Sequence, residues 1–183
     1  KRIYDPKDPN MQEKVNKTVE SLTDQIDALT TIANEFSNFA KLPIPILANL
    51  NFAELCSSAI SFFDSNEDLA IKLINHSKEE LIVFADKDMI LRVLNNLITN
   101  GIQAVEFQQK AEIILQLYKN ESSVILLVTD NGKGILSNQV ETIFEPYFTT
   151  KSTGTGLGLA MVKQIIELHN GSIAVKETSA KGT

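Results

Sequence analysis

A long stretch free of Gly and Pro, ended abruptly by Lys41-Leu42-Pro43-Ile44-Pro45, constrains this chain more than any other feature. Through it apolar residues recur as Val15, Val19, Leu22, Ile26, Leu29, Ala33, Phe36 and Ala40, in steps of four and three. That heptad spacing predicts one helix of about 30 residues, roughly 45 Å long at about 1.5 Å per residue. Asn10 or Asp8 is placed to cap it, after an irregular lead-in broken by Pro6 and Pro9. A helix this long with an apolar stripe needs a partner. Sustained a/d spacing favours a bundle or coiled coil, most simply a homodimer; the alternative is a helix laid lengthwise on its own globular domain. Pro43 pushes its predecessor away from helical angles and Pro45 repeats the effect, which divides the chain into a helical segment, 1–44, and a globular domain, 45–183.

In the globular part, residues 46–50 read as a short edge strand. Asn51 with Glu54 reads as the N-cap and capping-box partner of a helix carrying Phe52, Leu55, Ala59, Phe62 and Phe63. Residues 70–75 and 81–85 are two strands or a hairpin around Lys78-Glu79-Glu80. Asp86 or Asp88 starts a helix with Ile90, Val93, Leu94, Leu97, Gly101, Ala104 and Val105 as its apolar face. Asn96, Asn100 and Gln103 fall within about 60° of arc beside that face, so three amides line one stripe. Ile113, Leu115 and Leu117 alternate with polar residues, and residues 124–129 are apolar on both faces. This predicts an antiparallel pair whose second strand is central and delivers Asp130. Val140, Ile143 and Phe144 suggest a short helix, and residues 145–153, lacking periodicity, a mobile loop. Leu157, Met161, Val162, Ile165 and Leu168 make a last helix, stopped by Asn170-Gly171, before a strand at 172–175.

The formal net charge is -6, the pI is near 5.0, and the 17 Lys and Arg form no runs. That argues against a nucleic-acid or anionic-membrane surface and makes any phosphate binding local. Cys56, the one cysteine, excludes an internal disulfide and is expected in the core. The longest apolar run falls far short of the roughly 20 residues needed to span a bilayer, and Lys1-Arg2-Ile3 opens no signal peptide. The expectation is a soluble, cytoplasmic chain without direct membrane contact, from a parent that can be anchored through segments elsewhere.

The chemistry concentrates in three places. Asp130-Asn131-Gly132-Lys133-Gly134 is by itself an ordinary turn. A second cluster, Gly154-Thr155-Gly156-Leu157-Gly158, and the amide-bearing helix upstream change its meaning. A nucleoside triphosphate site needs a base contact, an anchor for a divalent metal and donors for phosphate. Asp130 can accept from the adenine exocyclic amine, a neutral Asn can ligate Mg²⁺ through its carbonyl oxygen, and the second cluster opens a helix whose first amides favour phosphate. Lys151 adds positive charge. No Gly-Lys-Ser/Thr phosphate loop is present, and a polar loop precedes the second cluster where a Rossmann turn would need a strand.

As a set these elements resemble the ATP-binding domain of sensor histidine kinases, in the superfamily that also holds gyrase, a heat-shock chaperone and mismatch-repair ATPases. Asn96-Leu97-Ile98-Thr99-Asn100-Gly101 resembles its N box, residues 130–134 its first glycine box, Phe144-Glu145-Pro146-Tyr147-Phe148 its F box, and residues 154–158 its second glycine box. The resemblance implies an α+β fold, a two-layer α/β sandwich with a mixed sheet and three helices on one face. It implies Mg²⁺ on Asn100, phosphates lined by Asn96 and Gln103, adenine read by Asp130, and Lys151 closing with a glycine-rich lid over the γ-phosphate. Asn96, Asn100 and Lys151 would be the catalytic set, and Gly132, Gly134, Phe144, Gly154, Thr155, Gly156, Leu157 and Gly158 would complete the ATP site.

The long helix resembles the second helix of the family's dimerisation hairpin through Glu35-Phe36-Ser37-Asn38-Phe39-Ala40, while nothing in residues 1–9 resembles the box of the phosphoacceptor histidine. A third glycine box would begin at Gly182-Thr183, so the last strand is expected to be missing. The implied function is transfer of the γ-phosphate of Mg-ATP to a histidine of a dimerisation helix, with a second copy and a response-regulator receiver domain as partners. An ATP-hydrolysing clamp or chaperone of the same superfamily is the alternative, and a regulator without chemistry a third. His76, beside a charged turn, reads as a surface residue, and His169, at a helix C-terminus, as a cation suited to the helix dipole.

Overall fold

Thirty residues without Gly or Pro form α1 (Met11–Ala40). Asn10 precedes it without a side-chain cap bond, and Lys41 closes it by donating its N–H to Ser37 O at 3.2 Å. The residues of the heptad stripe are exposed, Ile26 to 62% and Leu29 to 65%. The computed structural model describes residues 10–63, 68–106, 108–151 and 154–183, so Asp8 and the lead-in prolines lie outside the described residues. The chain divides into two compact units, Lys1–Lys41 and Leu42–Thr183.

The second unit begins with β1 (Ala48–Asn51) and α2 (Phe52–Ile60). Asn51 Oδ1 accepts the Glu54 N–H at 3.4 Å, and Glu54 reaches back to the Asn51 side-chain amide at 3.0 Å, a capping box closed through side chains. There follow β2 (Leu69–Asn75), β3 (Ile82–Ala85), α3 (Lys87–Ala104), β4 (Ala111–Lys119), β5 (Val124–Asp130) and α4 (Gly158–Leu168). Among the described residues the strands form two ladders, β1–β3 antiparallel and β2–β4–β5 mixed, with β2 parallel and β5 antiparallel to β4. The architecture is therefore α+β.

Several expectations need correction. Of the two readings of residues 70–85, that of two strands holds and the hairpin does not: β2 and β3 lie in different ladders, and α3 serves in the crossover that brings β4 parallel to β2. The central strand is β4, not β5: the outward residues Ile125 and Leu127 give β5 its two-sided apolar character, and Ile125 remains 46% exposed. Residues 140–144 form turns, not a helix. Gln139 N–H donates to Leu136 O, Thr142 N–H to Gln139 O, and the Thr142 hydroxyl competes for Gln139 O at 3.1 Å. Residues 172–175 keep an alternating exposure but have no ladder partner among the described residues. The chain instead folds back between Ser179 and Gly182, and Thr183 O accepts the Asp130 N–H at 2.8 Å.

The core joins Cys56 and Ala59 of α2, Leu94 and Ile98 of α3 and Ile113, Leu115 and Leu117 of β4, all of them buried to 0% exposure. Ile98, not the half-buried Leu97, continues the stripe, since it lies one turn after Leu94 and faces the sheet with Gly101. Burial pushes the Cys56 thiol up to about 12, which keeps it a small packing residue. α4 ends in a Schellman arrangement: Gly171 N–H donates to Ile166 O at 2.9 Å and Asn170 N–H to Glu167 O at 3.0 Å. Asn170, at φ 57°, takes the left-handed position.

Candidate functional site

α3 is held at its start by Asp86. Asp86 Oδ1 accepts the N–H groups of Asp88 and Met89 at 3.0 Å each, and Oδ2 accepts the Ile46 N–H at 2.7 Å. These three bonds hold its carboxyl below the ordinary aspartate range, the Met89 bond most. The Asp86 N–H donates to His169 Nε2 at 3.0 Å, so that nitrogen is an acceptor and the ring proton sits on Nδ1, facing Ile165 O at 2.8 Å. His169 is thus a neutral connector between the end of α4 and the start of α3, which corrects its reading as a helix-end cation.

The amide stripe emerges on the next turns. Asn96 Nδ2 donates to Arg92 O at 2.9 Å, which turns its Oδ1 toward the start of α4; a Cβ on Gly158 would lie 2.7 Å from that oxygen. Asn100 Oδ1 accepts from Lys151 Nζ at 3.1 Å, and Gln103 Oε1 accepts from the same ammonium. The structure therefore brings together Asn96, Asn100, Gln103, Lys151 and Gly158. The N-cap residue of α4, Leu157, makes no side-chain cap bond to the N–H groups of the first turn.

Asp130 ends β5 at the C-terminal side of α3. Its Oδ1 accepts the Gly132 N–H at 2.8 Å, and Lys133 N–H donates to Ala104 O at 3.3 Å. The carboxyl is half-buried, and burial raises it above the usual aspartate range, opposed by the backbone bonds of Gly132 and Thr183. The close approach that demands glycine at 132 is the chain's own: a Cβ there would stand 2.4 Å from Ala104 O. Gly134 faces residues 178–179 in the same way.

The described part of the 145–158 loop is tied down. Tyr147, at φ 68°, donates its N–H to Gly156 O at 3.0 Å, and Lys151 N–H donates to Thr149 Oγ1 at 3.1 Å. Gly154 N–H donates to Lys151 O, and Thr155 Oγ1 accepts the N–H of the buried Leu157 at 3.4 Å. Phe144 lies half-buried in the preceding turns, and Ser152 and Thr153 fall outside the described residues. Gly156 sits at φ +70° with Tyr147 C 2.5 Å from where a Cβ would be. Gly156→Ala is expected to detach this loop, because both the backbone angle and the collision oppose the methyl. Faster amide hydrogen exchange across residues 147–157, with exchange in β4 unchanged, is the measurement that checks it.

Among the described residues no cluster of three or more His, Cys, Asp or Glu exists to cage a metal ion. Asn100 Oδ1 fits a different kind of site, a single hard oxygen already facing a cation, able to share Mg²⁺ with phosphate oxygens and water. A surface hollow between residues 77–79 and 119–121 lies at the far end of β4 from Asp130 and is no part of this arrangement.

Residues 85–183 match the family described as histidine kinase-, DNA gyrase B-, and HSP90-like ATPase. The catalytic domain of histidine kinase ThkA is 31% identical, with a TM-score of 0.58 over 66% of this chain and 80% of that one. The chain belongs to this family, in its histidine-kinase branch. The sensor histidine kinase ZraS of Salmonella typhimurium is 36% identical over 86% of this chain, which spans 34% of that kinase's length. ThkA in complex with the response regulator TrrA matches 98% of this chain and 50% of its own length, at 25% identity and a TM-score of 0.71. Among the described residues no helix is long and apolar enough to cross a membrane.

Two residues of this histidine-kinase-type domain escaped the sequence reading. Lys133 lies close enough to Lys151 that their repulsion, after burial, lowers the Lys151 ammonium from its ordinary range. Asn131 stitches the Asp130 loop to the start of β4, accepting the Glu112 N–H at 2.8 Å and donating to Lys110 O at 2.7 Å. An Asn directly after a strand end, in a turn that must stay rigid, was the available signal.

Proposed function

We propose that this domain binds Mg-ATP and donates the γ-phosphate to a histidine on a dimerisation helix, in two-component signal transduction. The observation that carries the reading is the row Asn96, Asn100 and Gln103 on α3, with Lys151 facing it and Asp130 at the end of β5. The Asp130 carboxylate, with one oxygen committed to Gly132 N–H, offers the other to the adenine amine. Asn96, Gln103 and the first-turn amides of α4 would line the phosphates, and Asn100 would hold the metal. A magnesium ion held there would supply positive charge to offset that of the phosphates. Lys151 would supply a donor to the γ-phosphate with the glycine-rich lid of residues 151–156, of which 152 and 153 lie outside the described residues.

The exposed stripe of α1 supports a homodimer seam, because a row of residues such as Val19, Leu22, Ile26 and Leu29 is covered at lowest cost by a second copy. A receiver domain of a response regulator is the proposed recipient of the phosphoryl group. ATP use places the unit on the cytoplasmic side of its parent, whatever anchors that parent.

The test is transfer in trans. With labelled ATP and Mg²⁺, the chain is expected to label a supplied dimerisation-helix peptide bearing an acceptor histidine, in an acid-labile, base-stable linkage, and not itself. Binding of an ATP analogue without any such transfer would leave a nucleotide-binding regulator as the better description.

A further inference from the structure

We propose that Lys151 makes this site discriminate against the diphosphate product, by competing with the divalent metal for Asn100 until a γ-phosphate draws the ammonium away. The inference rests on the Mg-ATP reading and adds to it a second role for the lysine. Its basis is that the ammonium is already bound to two of the amides assigned to metal and phosphate. Lys151 Nζ donates to Asn100 Oδ1 at 3.1 Å and also to Gln103 Oε1. Asn100 Oδ1 is the atom a magnesium ion would need, at about 2.1 Å. Held on one oxygen, the ion and the ammonium would be at most about 5 Å apart.

Two positive charges at that separation in a half-buried site repel strongly, and Lys133 adds a third nearby. The metal therefore enters only when Lys151 leaves. What the lysine gains on leaving differs between the two nucleotides. A triphosphate offers its γ-phosphate oxygens, a charge-assisted partner stronger than two neutral amides. A diphosphate offers nothing at that position, so the metal must evict the ammonium without compensation. The same side chain thus favours the loaded triphosphate and weakens the hold on the product. A competent state populated only part of the time lowers apparent affinity by that fraction.

The experiment is calorimetry of the whole chain with Mg-ADP and with a non-hydrolysable Mg-ATP analogue, for the wild type, Lys151→Met and Lys151→Arg. Lys151→Met is expected to bind Mg-ADP roughly three- to tenfold more tightly, the scale of one net hydrogen bond, and to bind the ATP analogue more weakly. The Mg²⁺ concentration needed for half-maximal ADP binding should fall in step. Lys151→Arg, which keeps the charge, should not show the gain in ADP affinity expected of Lys151→Met. In the absence of nucleotide, the side-chain amide resonances of Asn100 should move in Lys151→Met, which reports the lost contact even if binding is impaired. Unchanged ADP affinity with weakened analogue binding would make Lys151 a phosphate ligand alone and overturn the inference while sparing the Mg-ATP reading. Weakening of both, or an unmoved Asn100 resonance, would overturn it equally. Failure of the wild type to bind either nucleotide would remove the Mg-ATP reading itself.

Discussion

Asp130→Asn is expected to weaken adenine-nucleotide binding by about 1.5–3 kcal/mol, the scale of a hydrogen bond to a charged group, without lowering stability. The side chain is nearly isosteric. Asp130 Oδ1 is committed to the Gly132 N–H at 2.8 Å, a bond the amide oxygen of Asn can keep. Its amide nitrogen then takes the place of Oδ2 and points a donor at the adenine amine, itself a donor. The loss is therefore both of charge and of complementarity. Folding should move the other way. Burial raises the Asp130 carboxyl, which means that the charged form is disfavoured in the folded chain at neutral pH and a neutral isostere relieves that cost. Calorimetry with an ATP analogue and thermal unfolding, run side by side, check both halves. Unchanged affinity would take Asp130 out of the site; a lowered unfolding midpoint would mean that the carboxylate holds the Gly132 loop in place.

How much of this was legible in the sequence follows the range of the interactions involved. Capping at Asn51 and Asp86 and the amide stripe of α3 are decided within four residues, and the chain shows them where they were expected. Strand order is not local. Whether β5 or β4 is central depends on which edge β2 reaches after a crossover through α3, and the apolar run 124–128 looks the same in either case. Leu97 and Ile98 differ by one position on a helical wheel, and only the sheet beneath, with Ile113 3.2 Å from where a Gly101 Cβ would be, selects the second.

The glycines were legible as necessary but not for the right reason. Locally they read as an ordinary turn, yet at Gly132 the atom nearest to where a Cβ would be is a backbone oxygen of α3. The glycine lets one element of the site touch another, and the touching places Asp130. His169 misled for a similar reason. A histidine at a helix end is locally well placed as a cation, and only the Asp86 N–H, 83 residues away in the chain, shows it to be an acceptor.

Hydrolysis of ATP by this chain is expected to be slower by about 10²–10⁴-fold than in relatives that use a general base, the range such a base contributes. By the resemblance, superfamily members that hydrolyse ATP carry a glutamate four residues before the metal-binding Asn, and here that residue is Asn96. Its amide cannot take a proton. Its geometry is also committed, with Nδ2 donating to Arg92 O at 2.9 Å and Oδ1 set against the start of α4. Asp86 offers no substitute, since its carboxylate holds the N–H groups of Asp88, Met89 and Ile46, and Asp130 is assigned to the adenine end of the nucleotide, away from the phosphates. Water attack therefore lacks a proton acceptor, which suits a phosphoryl donor that must keep its γ-phosphate until a histidine arrives. The expected result is tight retention of Mg-ATP with negligible phosphate release, measured over hours by a coupled phosphate assay. Robust release by the wild type, lost in an Asn100→Ala control so that a contaminating ATPase is excluded, would turn the reading toward the clamp ATPases.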